Sequence, residues 1–178
     1  MTELKAIIAG FGGQGILYFG KVLAYAGMLN GRHVSWMPSY GPEMRGGTAN
    51  CSVIISNDDI GSPLVIKPEV AVLMNLQAVQ KFAEKVISGG LIIVDSSLVD
   101  VKIDRDDCKV VYIPATKLSQ QAEIGYLGNI VALGKLNGEI NFCSNEILTE
   151  AITKNVSARK LQFLEKNLKA LELGYNFN

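Results

Sequence analysis

Gly10, Gly12 and Gly15 fall at G-x-G-x-x-G spacing inside Ile7-Ile8-Ala9-Gly10-Phe11-Gly12-Gly13-Gln14-Gly15-Ile16, the stretch of the chain best suited to chemistry. An apolar run leads into the glycines and an apolar helical segment follows at once. That order of strand, tight turn and helix lets backbone approach a ligand closely and points the unpaired N–H groups of the helix start at an anion. The same glycines also suit close packing of strand on helix, and both readings stand. Gly10, Gly12, Gly13, Gln14 and Gly15 are therefore the candidate ligand-binding residues. The acid that would hold a ribose is missing, because no Asp or Glu falls between Glu3 and Glu43 while Lys5, Lys21 and Arg32 do. This argues against NAD and leaves NADP, whose 2′-phosphate an arginine accepts, as an alternative. A phosphate-bearing ligand or an acidic partner surface suits the local charge better. The Walker lysine is absent.

Arg45 lies in a second glycine-rich segment, Ser39-Tyr40-Gly41-Pro42-Glu43-Met44-Arg45-Gly46-Gly47. Its planar fork can clamp a carboxylate or phosphate, or pair with Glu43 or an acidic partner. His33 is the sole histidine, opens a strand, and reads as a packed or surface residue rather than a base. No G-x-S-x-G nucleophile motif is present. Asp95-Ser96-Ser97 ends a strand on its carboxyl side, where α/β sites form but polar turns are also common. Cys51, Cys108 and Cys143 are odd in number and far apart, read as small buried hydrophobes, and offer no C-x-x-C pair for zinc or an iron–sulfur cluster. No catalytic residue and no metal ligand is assigned, and catalysis by this chain alone is poorly supported.

The elements that must position these residues alternate. Short apolar strands are expected at 6–9, 33–37, 48–56, 70–74, 91–94 and 110–113. Helices are expected at 14–30, 76–86, 116–123, 130–136, 144–154 and 158–173, with Gly31 ending the first and Ser144 and Ser157 capping the last two. The pattern gives a single domain over 1–178, a three-layer α/β/α fold on a mixed, mostly parallel sheet, entered by a glycine-rich strand-turn-helix. The strand at 48–56 has no helix before it, which is why the sheet should be mixed. The helix at 14–30 is apolar on nearly every face apart from Lys21, so either a partner chain covers it or its own fold encloses it.

Seventeen basic residues balance seventeen acidic ones, so nothing in the total charge suggests binding to nucleic acid or an anionic membrane. The amino terminus shows no secretory pattern, and the apolar run from Gly15 to Leu29 is too short to span a bilayer. A cytoplasmic location is expected.

Taken together, Gly10-Phe11-Gly12-Gly13-Gln14-Gly15 and Ser39-Tyr40-Gly41-Pro42-Glu43-Met44-Arg45-Gly46-Gly47-Thr48-Ala49-Asn50-Cys51 resemble the gamma subunit of 2-oxoacid:ferredoxin oxidoreductases. The Thr48-Ala49-Asn50-Cys51 ending is more similar to the 2-oxoglutarate branch than to the pyruvate branch, and Gly128-Asn129 followed by Ile130-Val131-Ala132-Leu133-Gly134 is similar to the family's later helix start. The resemblance implies a component of a multi-subunit enzyme that decarboxylates a 2-oxoacid oxidatively with coenzyme A, giving acyl-CoA, carbon dioxide and reduced ferredoxin. It implies alpha, beta and ferredoxin-like partner subunits, with thiamine diphosphate and iron–sulfur clusters held by those partners and none bound firmly here. The glycine-turn amides and Arg45 then become candidates for contact with a coenzyme A phosphate. Tyr40, Met44 and Arg45 become candidate partner anchors, and Asn129 a cap for the helix that follows it. A stand-alone NADP- or nucleotide-binding module and a non-catalytic assembly subunit are the competing readings.

Overall fold

The computed structural model describes residues 3–40, 47–156 and 163–178. Chain order runs β1 (Glu3–Phe11), α1 (Ile16–Leu29), β2 (His33–Tyr40), β3 (Thr48–Ser56), β4 (Val70–Leu73) and α2 (Leu76–Phe82), the last running into a 3-10 turn (Ala83–Lys85). It continues through β5 (Leu91–Asp95), β6 (Lys109–Ile113), α3 (Ala115–Gln121), α4 (Gly128–Ile140), α5 (Asn145–Asn155) and α6 (Leu164–Tyr175). The described strands form one sheet in the order β2-β3-β1-β4-β5-β6. β1, β4, β5 and β6 are parallel neighbours, whereas β3 runs antiparallel to both β1 and β2. The expected mixed α/β sheet is the one observed.

Why each strand sits where it does follows from its pattern. Val70, Ala71, Val72 and Leu73 are buried without alternation, as a parallel strand covered on both faces requires. In β3 the alternate residues Ala49, Cys51, Val53 and Ile55 face α1, while Asn50 and Ser52 stay half-buried on the other side. One sheet face carries α1, α4, α5 and α6. The other carries α2 and the connection after β5, with Ile7, Leu73, Phe82, Ile92 and Val99 at its centre. Arg105 fastens that connection by donating to the Ala83 and Val86 carbonyls at 3.0 and 3.1 Å while pairing with Asp107.

One expectation is corrected. β2 continues through Pro38 to Tyr40 instead of stopping at Met37, because it is an edge strand, where a residue without an N–H is tolerated. The all-round apolarity of α1 comes from enclosure by its own fold: it lies between the sheet and α4–α5, and only Lys21 and Met28 are exposed along its length. Gly31 takes a left-handed φ of 72° just past Asn30, and the Ser144 side chain caps α5, both as expected. The final helix is described only from Leu164, so Ser157 and Leu161 lie outside the described residues.

Lys135 of α4 is almost fully buried, an unusual place for an ammonium group. It donates to the Phe177 carbonyl at 2.7 Å and pairs with Glu139 at 2.6 Å, while Glu139 also holds Lys109. Burial works against the Glu139 carboxylate, yet the hydrogen bonds from Lys109 and Lys135 outweigh it and hold the group below the ordinary value of 4.5. A depressed folded-state value means that this stabilisation is complete above the unfolded value and disappears as pH falls through the folded one. We expect urea stability to decline below about pH 4.5 and Glu139→Gln to flatten that part of the profile. A pH titration of the urea midpoint, followed by circular dichroism, checks this; identical profiles in both proteins would remove Glu139 from the account.

Candidate functional site

The carboxyl ends of β1, β4, β5 and β6 converge on a pocket of about 220 Å³ lined by Gly13, Gln14, Met74, Thr116 and Asn129, with Leu98 and Tyr126 at its mouth. This is the edge of an α/β sheet at which ligands bind. The glycine turn forms one wall. Gly13 and Gly15 take left-handed φ values of 104° and 76°, which other residues adopt at a cost, so the sharp reversal from β1 into α1 depends on them.

The amides of the turn divide into two groups. Gly12 N–H donates to the Gly47 carbonyl at 2.9 Å, and Gln14 N–H to Phe11 at 3.2 Å. Among the described residues, the N–H groups of Gly13, Gly15 and Ile16 take no partner and stand at the positive end of the α1 dipole. Of the three, Gly13 lines the pocket. Gln14 has a different job: its Oε1 accepts from Phe11 N–H and its Nε2 donates to the Met74 carbonyl at 3.0 Å, bracing the turn across the ends of β1 and β4. Gly10 sits within β1, where a side chain would press on Gln14 and on Ile16 Cδ1 at 2.8 Å, so it serves the approach of strand and helix.

Asn129 does not cap α4. It lies inside that helix, largely buried, and its Nδ2 donates to the Gly15 carbonyl at 3.1 Å. The later helix start thus buttresses the glycine turn directly, a tertiary link between two motifs far apart in sequence. Asp95, buried at the end of β5, spends its carboxylate on Ser97 N–H and on the N–H and hydroxyl of Thr116, closing the far wall. It is a structural turn. Thr116 and Gln14 carried no local signal for these roles, because both depend on which strand ends become neighbours.

The remaining candidates are dispersed. Tyr40 closes β2 opposite Ala49, and the Gly47 carbonyl accepts from Gly12 N–H. Met44 and Arg45 lie outside the described residues. His33 is a surface residue, 3.2 Å from Asp59 and far along the chain from the pocket walls. Cys51 is fully buried and burial pushes its thiol up to about 12, whereas Cys108 and Cys143 are only half-buried. Among the described residues no group of three or more His, Cys, Asp and Glu side chains could hold a metal ion, and no helix is long and apolar enough to cross a membrane.

The strand order also weighs against a dinucleotide fold. There the second strand pairs in parallel with the first and presents the ribose-binding acid beside the glycine turn. Here β2 is an antiparallel edge strand separated from β1 by β3, so its carboxyl end cannot serve that role.

Comparison with known proteins settles the family. Residues 5–177 match the pyruvate ferredoxin/flavodoxin oxidoreductase family. The chain belongs to it. Within that family it is 37% identical over 94% of its length to the 2-oxoglutarate synthase subunit KorC of Methanocaldococcus jannaschii, covering 90% of that protein. It is also 37% identical over 97% of its length to the ketoisovalerate oxidoreductase subunit VorA of Methanothermobacter marburgensis, but spans only 36% of VorA. The gamma subunit of a keto/oxoacid ferredoxin oxidoreductase from Geobacter sulfurreducens superposes with a TM-score of 0.81 at 27% identity, covering 97% of this chain and 96% of that one. The oxidoreductase family therefore contains this module both as a chain of nearly the same length and as about a third of a longer one.

Proposed function

We propose that this family member is the gamma subunit of a multi-subunit 2-oxoacid:ferredoxin oxidoreductase. In that reaction the 2-oxoacid loses carbon dioxide, the acyl group bonds to the coenzyme A sulfur, the thiol proton is released, and an electron pair passes to ferredoxin. The observation that carries the reading is the family match over nearly the whole chain. The unpaired Gly13, Gly15 and Ile16 amides supply its local chemistry: they suit a phosphate of coenzyme A, and the small pocket beside them suits part of such a ligand. Arg45, two residues before Gly47, is proposed to clamp the same phosphates or a partner carboxylate, and Tyr40 and Met44 to anchor a partner.

Thiamine diphosphate and iron–sulfur clusters are assigned to the alpha, beta and ferredoxin-like subunits. The residues here do not fit an iron–sulfur cluster: the three cysteines stand apart, and one is sealed in the core. As the substrate we propose 2-oxoglutarate, on the Thr48-Ala49-Asn50-Cys51 resemblance and the likeness to KorC. The equal likeness to VorA keeps a branched 2-oxoacid as the second reading. The proposed setting is the cytoplasm.

Copurification with thiamine- and cluster-bearing subunits, followed by assay with 2-oxoglutarate, 3-methyl-2-oxobutanoate and pyruvate, tests this. We expect coenzyme A-dependent ferredoxin reduction by the complex and none by the isolated chain. Tight NADPH binding by the isolated chain would favour the stand-alone module instead. Arg45→Gln separates the assembly reading: a rise in the coenzyme A KM supports a ligand contact, whereas a change confined to complex formation makes Arg45 an assembly residue.

A further inference from the structure

At the opposite end of the sheet from the glycine turn lies a larger groove, of about 710 Å³. It opens between the segment leading into β4 and the turn leading into β5, so it faces the amino ends of the parallel strands. Its floor is apolar core: Ile7, Phe82 and Val86 are all buried. Its rim is apolar too, yet open to solvent, with Ile66 76% exposed; Leu64, just before the rim in sequence, is 58% exposed. Large side chains at that exposure, next to an apolar floor, form the kind of patch that marks an interaction surface.

The rim is held in place. Pro63 and Pro68 bracket residues 64–67, and the Pro68 carbonyl accepts from Ile87 N–H at 3.0 Å, linking the two sides of the groove. Glu69 N–H donates to Lys5 and Leu91 N–H to Glu69, tying the same segment to the sheet. A segment anchored at its base loses less conformational freedom on binding than a loop with no anchor.

Charge identifies the partner. Lys67 and Lys85 line the groove against a single acid, Glu84. The ammonium groups of Lys81 and Lys85 also stand 5.1 and 5.4 Å from the centre of the Phe82 ring, which concentrates positive charge around an apolar floor. A second copy docking here about a two-fold axis would set this lysine rim against itself. The relatives point the same way, since in VorA the module is continuous with a further stretch of polypeptide nearly twice its length.

We propose that this groove is a docking surface for an acidic segment of a neighbouring subunit, which seats an apolar side chain beside Ile66 and places carboxylates against Lys67, Lys81 and Lys85. The inference rests on reading the chain as a subunit of the oxidoreductase, and it is independent of what the glycine turn binds.

The test uses the chain co-expressed with its partner subunits, as wild type, Ile66→Asp and Lys67→Glu/Lys85→Glu. Light scattering on dilution gives the dissociation constant, and amide exchange of residues 62–68 and 82–88 is compared between free chain and complex. We expect each variant to weaken assembly at least about tenfold, the charge reversal losing its effect as salt is raised. Exchange at both segments should slow on assembly of the wild type. All substituted positions are exposed, so the isolated variants should keep the wild-type Tm. Wild-type assembly by both variants, or unchanged exchange, overturns the proposal. So does an isolated chain that dimerises through Ile66, which would make the occupant a second copy. Ferredoxin reduction by the wild-type complex reads the functional proposal separately: a complex that assembles through this groove but turns over no 2-oxoacid sinks that reading and supports this one.

Discussion

Gly174→Ala should lower the Tm by roughly 5–10 °C, the largest stability effect expected of a single added methyl in this protein. α4 and α6 cross backbone to backbone. A Cβ at Gly174 would be driven into the Val131 carbonyl oxygen, with the Lys135 nitrogen only 2.8 Å away. Reciprocally, a Cβ at Gly134 would be driven into the Leu171 carbonyl oxygen. Peptide groups inside helices cannot swing aside as a side-chain tip can, so the two helices must separate. Separation opens the packing around Val131 and Leu171, both buried in the main core. Overpacking of this kind costs about 3 kcal/mol or somewhat more. Alanine returns about 1 kcal/mol of helix propensity, leaving a net loss of about 2–3 kcal/mol. Gly138→Ala is the internal control, since its nearest obstacle, the Tyr175 carbonyl oxygen, is 3.1 Å away and the propensity gain should roughly cancel the contact. Calorimetry of the three single variants and of Gly134→Ala/Gly174→Ala checks the claim. The double variant should lose less than the sum, because both methyls force the same separation. A Gly174→Ala protein at least as stable as wild type would mean that the crossing is not tight.

Gly15→Ala should raise the coenzyme A KM of the assembled enzyme by about a hundredfold. The position combines two constraints. Its φ of 76° costs a residue with a Cβ about 1–2 kcal/mol, and the new methyl would collide with Asn129 Nδ2, the group that donates to the Gly15 carbonyl. The turn must then move, taking the Gly13, Gly15 and Ile16 amides with it. Asn129→Ala removes the buttress without adding bulk and should raise KM by about tenfold. In Gly15→Ala/Asn129→Ala the collision is gone and the backbone cost and the lost buttress remain, so the double variant should bind coenzyme A better than Gly15→Ala alone but worse than Asn129→Ala. Steady-state kinetics of the four proteins gives the cycle. Additive losses would deny the coupling, and an unchanged KM in all three variants would deny that the turn touches the coenzyme.

What could be read in advance depended on where the decisive contacts were made. β3 announced itself from Thr48 to Ser56 because its alternation is a local property, and β4 and β5 did so because unbroken apolar runs mean burial on both faces. Pro38 misled, since its effect depends on whether the strand sits at an edge, which only the assembled sheet decides. The composition of α1 announced extensive burial but could not say by what. The answer lay in α4 and α5, more than a hundred residues downstream. The glycine turn was legible as a candidate site, but its supports were not. Gln14 reaches Met74 and Asn129 reaches Gly15, across separations of 60 and 114 residues. Asn129 before an apolar run looks like a cap, and the fold uses it elsewhere because Leu127 and Gly128 start the helix earlier.

Cys51 lies beneath Gly20 of α1, against the Trp36 ring nitrogen, with its thiol directed at the Ile16 carbonyl. A thiol reagent in bulk solvent can reach it only during the moments when that helix lifts from the sheet. Its modification rate is thus a built-in clock for that opening, read against the half-buried Cys108 and Cys143 in the same sample. A ligand that grips the head of α1 should slow the clock, which would report occupancy of the glycine turn without any turnover assay.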